Sequence, residues 1–315
     1  MRVNARQSLS SLFKAGKVKS YELESNALST FLFSEVWRSG DNGERIEPAI
    51  SVVIPSFNQV QFLERTLLSL LNQGYPRLEI IVVDGGSNDG TQELLERYRD
   101  QLAYVYSGPD NGQSDALNHG FSKATGDIVC WLNSDDLQLP GTLHAVADAF
   151  QVFPDASVVF GDWWSIDSLD RVTAVHYAFD FSLRHFIYEG FTLNSQAMFW
   201  RRDAHLRFGE FDVQLHRTMD YDLIVRLGLN EGQQKFIRLE RALACFRRHP
   251  EQKTTNAGGE IVASEHRRIA EKNGFPNKYR MVGRVMRMAY RARRAWWYLK
   301  RGGIGFTWAQ LEKRS

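Results

Sequence analysis

Two hydrophobic periods alternate along the first half of this chain. Apolar β-branched runs at Ile50 to Ile54 and Leu78 to Val83 predict buried strands. Between them, leucines from Leu63 to Leu71 recur at the spacing of one helical face, and a Gly and a Pro follow the last of them. The pattern therefore begins as strand, helix, strand.

The alternation continues to residue 132. Helical spacing at Thr91 to Tyr98 and Gln113 to Lys123 flanks a strand-like stretch at Ala103 to Tyr106, and the apolar run Asp127 to Leu132 comes next. Alternating units of this length predict an α/β fold, with a mainly parallel, Rossmann-like sheet flanked by helices.

The alternation breaks after Trp164. Two strand-like stretches follow, Val172 to Phe179 and Leu193 to Trp200, so we expect an extension of different design. Residues 1–47 mix short apolar patches with polar residues, which predicts a helical arm, and they end in a Gly/Asp/Asn cluster that is typical of a linker. We divide the chain into this arm, a main domain at 48–255 with a change of pattern near 160, and a helical C-terminal tail at 256–315.

Composition fits a globular protein. The 315 residues are 43% hydrophobic and 12% aromatic, and the net charge of +2 gives no overall preference for polyanions. Cys130 and Cys245 both lie in apolar runs, which predicts core thiols and a reducing compartment. The sequence has no apolar run of about 18 residues and no apolar leader, so we expect a cytoplasmic protein that does not span a membrane.

The first candidate for chemistry is a pair of carboxylates at the end of a strand. Asp135 and Asp136 follow the apolar run that ends at Leu132. Two interpretations compete, a cation site with oxygen ligands and a simple acidic turn before a helix. Pro55 to Phe57 and Asp84 also follow strands, and ligands of parallel sheets bind beyond the carboxyl ends of the strands. This convergence favours a site for a nucleotide and a metal.

Five sequence blocks resemble the family-2 glycosyltransferases, which have the GT-A fold. The blocks are Ser51 to Asn58, Val83 to Thr91, Asp110 to Gly112 with Ala116 to Gly120, Ala124 to Asp127, and Leu132 to Asp136. The resemblance implies an inverting enzyme that moves one sugar from a nucleotide diphosphate sugar (UDP-, GDP- or dTDP-sugar) to an acceptor. It also implies a nucleotide-sugar-binding half at 48–160 and an acceptor half at 161–255.

The same resemblance implies roles for the donor-binding residues. Pro55, Ser56 and Phe57 would contact the nucleoside, although Phe57 could instead be an aromatic plug over the sheet. Asp84 would read the base or ribose, and Gly85 stands where many relatives have a second acid. The positions that would face the ribose or sugar are Asp115 and Asn118, with a solvated helical surface as the alternative.

Metal binding is implied for the acids after the fourth strand. Asp135 and Asp136 match metal-binding acids of the family, with Asp135 also reaching the nucleotide sugar, and Asn133 occupies the first position of the usual Asp-x-Asp form. His249 would contact Mg²⁺ or Mn²⁺ or the diphosphate, unless it is a surface residue of a basic turn. The cation would stabilise the departing diphosphate as a Lewis acid.

Proton removal is implied for Asp220. It matches the acceptor-side general base of the family, although Met219 stands where an acid often precedes it and Asp220 could simply cap a helix. The Gln-x-x-Arg-Trp motif of processive synthases is missing from the sequence, which favours transfer of a single sugar. A nucleotidyltransferase and a degenerate nucleotide-sugar-binding or scaffold protein are the rival interpretations.

The tail has its own charge pattern. Residues 277–301 contain nine Lys and Arg side chains and no acid, interleaved with Met, Trp and Tyr. Such a helix suits an anionic membrane surface, while packing on a partner chain is a second option and nucleic acid is disfavoured because no nucleic-acid module accompanies it. We expect peripheral attachment at the inner face of the cell membrane, near a glycan or lipid-linked acceptor of bacterial polysaccharide or glycolipid assembly.

Overall fold

The structure is a computed structural model that describes residues 47–190, 193–252, 259–275 and 281–312. The predicted N-terminal arm lies outside the described residues, apart from Glu47 at its end. Within the last described range, side chains are described as far as Leu299, with the exception of Val282.

The first half of the described chain follows the predicted alternation. Its elements are β1 (Ile50–Ser56), α1 (Val60–Leu71), β2 (Leu78–Asp84), α2 (Thr91–Arg97), β3 (Tyr104–Ser107), α3 (Gln113–Lys123) and β4 (Ile128–Trp131). The predicted strands and helices of this half are confirmed, because each rests on a local period that its own residues carry.

The second half has more varied elements. They are β5 (Leu137–Gln138), α4 (Thr142–Val152), β6 (Val158–Ile166), β7 (Val172–His176), α5 (Leu183–Glu189), β8 (Met198–Arg201), α6 (Arg202–Phe208), α7 (Met219–Asn230), β9 (Phe236–Arg247), α8 (Gly259–Lys272) and α9 (Met281–Glu312). The strand predicted from Leu193 is wrong at its start, since Ser195–Ala197 is a 3-10 turn. The side chain of Asn194 accepts a hydrogen bond from the Gln196 amide and so caps that turn.

One mixed sheet joins the strands of the described ranges in the order β3-β2-β1-β4-β8-β6-β9-β5, with β7 paired to β6. Strands β3, β2, β1 and β4 are mutually parallel, and β8 runs antiparallel between β4 and β6. Ser56, Asp84 and Ser107 are neighbours in the register of β1, β2 and β3. The last residues of three strands therefore meet at one edge of the sheet.

Close packing fixes α3 against the sheet. A Cβ atom at Gly120 would overlap the Val53 side chain, so only glycine lets α3 approach β1 this closely. Trp131 makes edge-to-face contacts with Trp200 and Phe211 on the same face of the sheet, and Phe121 of α3 packs against this cluster. Tight packing on this face gives the loops that follow the strands a rigid base.

The core contains both predicted thiols and part of the region after residue 255. Cys130 and Cys245 are free and buried, as the sequence predicts. Ile269 of α8 belongs to the same hydrophobic core as β1 and β4, which means that α8 packs on the main domain. None of the helices in the described ranges is both long enough and apolar enough to cross a bilayer.

Candidate active site

Asp84 organises the edge of the sheet. Its buried carboxylate accepts hydrogen bonds from the Ser87 amide (2.9 Å), the Ser87 hydroxyl (2.5 Å) and the Ser107 hydroxyl (2.6 Å). Three donors from within the protein occupy this carboxylate, which argues against the predicted contact of Asp84 with a base or ribose. Its observed contacts instead connect the loops after β2 and β3.

The loop after β1 presents a ring and a hydroxyl. The Phe57 side chain is 61% exposed, whereas an aromatic plug over the sheet would be buried. Pro55 and Ser56 are buried at the end of β1, and the Ser56 hydroxyl has no hydrogen-bond partner among the described residues. A buried hydroxyl of this kind is unfavourable unless a ligand or water satisfies it. This loop has the features of a contact surface.

The loop after β1 is also pinned in place. The Asn58 amide donates to the Ser87 hydroxyl at 2.7 Å, and the Asn58 side chain accepts from the Asn88 amide at 3.1 Å. Asn58 adopts a positive φ of 51°, a conformation that Asn tolerates better than most residues. These bonds hold Phe57 beside the loop that follows β2.

The two residues of α3 that were predicted to face the ribose or sugar form hydrogen bonds within the protein. Asp115 accepts from the amide and side chain of Asn111, at 3.0 and 3.1 Å, and so closes the first turn of the helix. Both polar atoms of the Asn118 side chain bond to the backbone of Phe211, at 2.8 and 2.9 Å. Asn118 therefore joins the two halves of the domain, and its pairing argues against the predicted sugar contact.

The two acids after β4 have different surroundings. Asp136 is fully buried, and its carboxylate oxygens accept from the Arg247 amide (2.7 Å) and the Asn133 side chain (3.1 Å). Burial, followed by the nearby charge of Asp135, raises the pKa of Asp136 well above its usual value. The predicted role of Asp136 as a metal ligand is therefore not supported, because its oxygens are enclosed and already bonded.

Asp135 meets His249 at the end of β9. Nε2 of His249 lies 2.9 Å from Oδ2 of Asp135, and both side chains are largely buried, at 3% and 17% exposure. Phe62 packs against the His249 ring with centroids 4.9 Å apart. The described residues contain no group of three or more His, Cys, Asp or Glu side chains that could hold a metal. A cation at this pair would thus need further ligands, from water or from a bound molecule.

Arg247 holds the backbone of the loop that carries Asp135. Its side chain is fully buried, donates to the carbonyl of Asp135 at 2.6 Å and forms an ion pair with Asp170 at 2.5 Å. Asp170 in turn pairs with Arg65 of α1, also at 2.5 Å. The backbone of the Asp135 loop is therefore fastened to β9 and to the β6–β7 hairpin.

Asp220 lies in the first turn of α7. Its side chain is half-buried, and loss of hydration raises the pKa of its carboxyl group from 3.8 to about 6. The charge of Glu265 on α8 adds to this rise, while hydrogen bonds from the backbone amides of Tyr221 and Asp220 oppose it. A carboxylate with this pKa is mostly ionised at neutral pH and is a stronger base than an ordinary aspartate.

Glu265 also shapes the approach to α7. It is 6% exposed and accepts from the amides of His216 and Arg217, at 2.9 and 3.1 Å, and from the Thr218 hydroxyl at 2.8 Å. The sequence did not identify Glu265 as part of the site, because Glu265 acts on residues far away in the chain and no local motif marks it. Arg247 lies in the sequence block that contains His249, which resembles the block that closes many family-2 catalytic domains, but that resemblance gave Arg247 no role.

The first residues of α3 contact both the loop after β4 and the first residue of α7. The Gln113 side chain donates to the Asn133 side chain at 2.8 Å, and the Ser114 hydroxyl contacts the Met219 sulfur at 3.1 Å. A small, open cleft lies between α3 and α7. It is lined by Asn111, Gln113, Ser114, Val213, Leu215, His216 and Met219. The start of α3 is thus in contact with both the Asp135 loop and the start of α7.

Known proteins share this sequence and fold. Residues 51–208, just over half of the chain, match the family model described as glycosyl transferase family 2. An uncharacterised glycosyltransferase of Mycobacterium tuberculosis is 33% identical over 184 residues, which cover 58% of this chain and 70% of that protein.

Two solved structures show the same architecture. A fragment of S. aureus TarS in complex with UDP-GlcNAc aligns with a TM-score of 0.56 at 19% identity, over 77% of this chain and 79% of that chain. The mannosyltransferase PcManGT from Pyrobaculum calidifontis, in complex with GDP-Man and Mn²⁺, aligns with a TM-score of 0.50 at 17% identity, over 85% of this chain and 74% of that chain. At these identities the two structures establish the fold alone.

The fold and the sheet-edge site define a GT-A glycosyltransferase, as the sequence predicts. The match over residues 51–208 gives the narrower assignment, and the chain belongs to glycosyl transferase family 2.

Proposed function

We propose that this protein is a metal-dependent, inverting glycosyltransferase that moves a single sugar from a nucleotide diphosphate sugar to a glycan or lipid-linked acceptor. The observation that carries this proposal is a set of three features whose loops are linked through the start of α3. They are the exposed Phe57 ring, the Asp135–His249 pair and the raised pKa of Asp220. Aromatic face, cation ligands and base are the parts that such a transfer requires.

Asp135 and His249 fit a divalent cation better than the predicted trio with Asp136. A carboxylate oxygen and an imidazole nitrogen at hydrogen-bond distance can both turn to one ion, and Mg²⁺ is commonly held by one or two carboxylates together with substrate phosphates. When bound, Mg²⁺ or Mn²⁺ supplies Lewis-acid stabilisation of the charge on the diphosphate leaving group. Arg247 keeps the Asp135 backbone in place for this task.

Asp220 is the proposed base. In an inverting transfer one carboxylate accepts the proton of the acceptor hydroxyl as that oxygen attacks the anomeric carbon, and the enzyme forms no covalent intermediate. The cleft between α3 and α7 is lined by Met219, the residue before Asp220, and it is therefore the proposed approach of the acceptor. Glu265 positions the first turn of α7 through its bonds to the residues before that helix.

Binding and chemistry can be tested separately. We expect a UDP-, GDP- or dTDP-sugar to raise the melting temperature in the presence of Mn²⁺, because a ligand that binds only the native state stabilises it. Asp135→Ala should abolish the Mn²⁺-dependent part of this shift. Asp220→Asn should bind the donor normally and lose transfer. A donor that binds equally well with EDTA would remove the metal from the proposal, and transfer by Asp220→Asn would remove the base.

We further propose that α9 attaches the enzyme to an anionic membrane at the cytoplasmic face. Its outward side presents Met281, Val285, Met288 and Trp296, each between 62% and 79% exposed and spaced along one helical face. Arginines such as Arg284 and Arg293 lie beside this stripe, and a bilayer with anionic headgroups complements both features.

The opposite side of α9 is fixed to the domain. Arg291 and Arg294 pair with the buried carboxylate of Glu189, and the Trp297 ring packs on Phe179 with centroids 4.4 Å apart. The apolar stripe is therefore not the surface with which α9 contacts its own domain. These contacts leave the stripe facing away from the domain, as a membrane-binding surface requires.

Vesicle flotation tests this attachment. We expect the full chain to float with vesicles of phosphatidylglycerol and phosphatidylcholine, and Met288→Asp with Trp296→Asp to abolish flotation. Leu206→Asp is a matched control, since Leu206 on α6 is 67% exposed, like Trp296. Flotation that survives the double substitution, or that needs no anionic lipid, would overturn the proposed membrane surface.

A further inference from the structure

Asp110 lies where a side chain at Gly85 would be. A Cβ atom built on Gly85 would be 2.9 Å from Oδ2 of Asp110 and 3.2 Å from the Phe57 ring. These residues belong to the loops after β2, β3 and β1, respectively. The missing side chain at Gly85 therefore makes room for a carboxylate from another loop, directly beside the exposed ring of Phe57.

The Asp110 carboxylate is fixed through one of its oxygens. Oδ1 accepts a hydrogen bond from the Gly112 amide at 2.8 Å. The loop that carries it is fastened to β2, since the Gly108 amide donates to the Asp84 carbonyl at 3.0 Å. Among the described residues, Oδ2 of Asp110 has no hydrogen-bond partner within the protein. A held carboxylate with one available oxygen thus lies next to an aromatic face.

This combination recognises a flat ring that carries an N–H group on its edge. Aromatic side chains stack on nucleobases, and a carboxylate accepts hydrogen bonds but cannot donate them. Uracil, thymine and guanine carry a ring N–H, whereas cytosine and adenine present a lone pair at the corresponding ring nitrogen and would repel the carboxylate. Sites that bond to a substrate N–H strongly reject analogues without it.

We propose that Asp110, in the space left by Gly85, selects a nucleobase that carries a ring N–H. The proposal rests on the proposed nucleotide-sugar site, and it identifies the residue that distinguishes one nucleotide from another. Phe57 contributes stacking, which every base can accept. Asp110 discriminates among the bases, because its Oδ2 accepts a hydrogen bond only from a base that carries a ring N–H.

Calorimetric titration of the full chain with UDP, GDP, CDP and ADP in the presence of Mn²⁺ tests this choice. We expect UDP or GDP to bind at least about tenfold more tightly than CDP and ADP, as one hydrogen bond to a charged group allows. Asp110→Ala should reduce this ratio to within about threefold by weakening UDP or GDP. Asp100→Ala, which removes an exposed acid from the same half of the domain, should change nothing.

Gly85→Ala provides a second variant that keeps Asp110 itself. Its Cβ would displace Oδ2 of Asp110, so the ratio should fall here too, while Gly259→Ala, where a Cβ would meet nothing within 4 Å, should retain it. Discrimination that persists in both Asp110→Ala and Gly85→Ala would overturn the role of Asp110 and leave the proposed function intact. Failure of all four nucleotides to bind would remove both.

Discussion

Nε2 of His249 lies 2.9 Å from Oδ2 of Asp135, although 114 positions separate these residues in the chain. The contact forms because β4 and β9 end at the same side of the sheet, and each delivers one ligand type to the edge. His249 is thereby distinguished from the surface histidine that its basic sequence context also allows. In our proposal, Asp135 and His249 are the ligands that the protein provides to a divalent cation.

Loss of the His249 imidazole should weaken the binding of the cation more than the binding of the nucleotide. We expect His249→Ala to lower the affinity for Mn²⁺, measured in the presence of a nucleotide diphosphate by electron paramagnetic resonance, by at least about tenfold. His119→Ala on α3 removes a half-buried ring that is bonded to Tyr104 and serves as the control. An unchanged Mn²⁺ affinity in His249→Ala would show that His249 is not a ligand of the cation.

The rate of transfer should report the ionisation of Asp220. Because the pKa of Asp220 is raised to about 6, we expect kcat/KM to rise with pH through that value and to level off above it. Asp220→Asn should lower kcat by about 10²-fold or more and remove this acid limb. The exposed Asp155→Asn should keep the full profile. An acid limb near pH 4, or one that persists in Asp220→Asn, would assign the base elsewhere.

Folding stability should show the opposite dependence on pH. A carboxyl group with a raised pKa in the folded state stabilises the protein below its unfolded pKa, and this contribution disappears as pH rises through the folded value. Ionised Asp220 should thus destabilise the protein by up to about 3 kcal/mol at pH 7, since the pKa rises from 3.8 to about 6. We expect Asp220→Asn to be more stable than the wild type at pH 7 and similar to it at pH 4.

Denaturant unfolding at several pH values between 4 and 8 measures this difference. The gap between Asp220→Asn and the wild type should open between the unfolded pKa near 3.8 and the folded pKa of about 6. A gap that is constant over this range would mean that packing, and not charge, distinguishes the two proteins.

Removal of Arg247 should damage both the fold and the cation site. Its buried charge pairs with Asp170, and the loss of one partner of such a pair is strongly destabilising. We expect Arg247→Met to lower the free energy of unfolding by about 3 kcal/mol and to weaken Mn²⁺ binding. Arg248→Met is the neighbouring control, because the Arg248 side chain is exposed.

A second substitution separates charge from packing at this position. Asp170→Asn combined with Arg247→Met should recover part of the lost stability, since the carboxylate left without Arg247 is then neutral. Recovery should be visible in the denaturant midpoint. Equal losses in the single and double variants would attribute the effect of Arg247 to packing alone.

The sequence predicts the sheet better than it predicts which carboxylates are available to a ligand. Strands such as β1 and helices such as α3 are encoded by periods within their own residues, and their bounds agree with the structure to within a few positions. Whether a carboxylate is available depends on partners that lie elsewhere in the chain. Asp136 is enclosed because Arg247 reaches it from β9, and Asp84 because Ser107 reaches it from β3.

Asn118 illustrates the same limit. At the sequence level its place on α3 is compatible with a donor contact, and nothing nearby indicates that Phe211 takes up both ends of its side chain. Gly85 is the converse case. The sequence shows only a missing acid, while the folded chain brings Asp110 into the vacated space. Long-range contacts therefore decide both which predicted residues are occupied and which others replace them.

The hydrogen bonds of Glu265 make α8 a necessary part of the catalytic domain. A protein shortened at residue 255, where the recognisable motifs end, would lose α8 and with it the carboxylate that receives the His216, Arg217 and Thr218 donors. It would also lose a charge that contributes to the pKa of Asp220. With Asp220 as the proposed base, we expect a protein that ends at residue 255 to have its acid limb at lower pH, since the Glu265 charge helps to raise the pKa of Asp220.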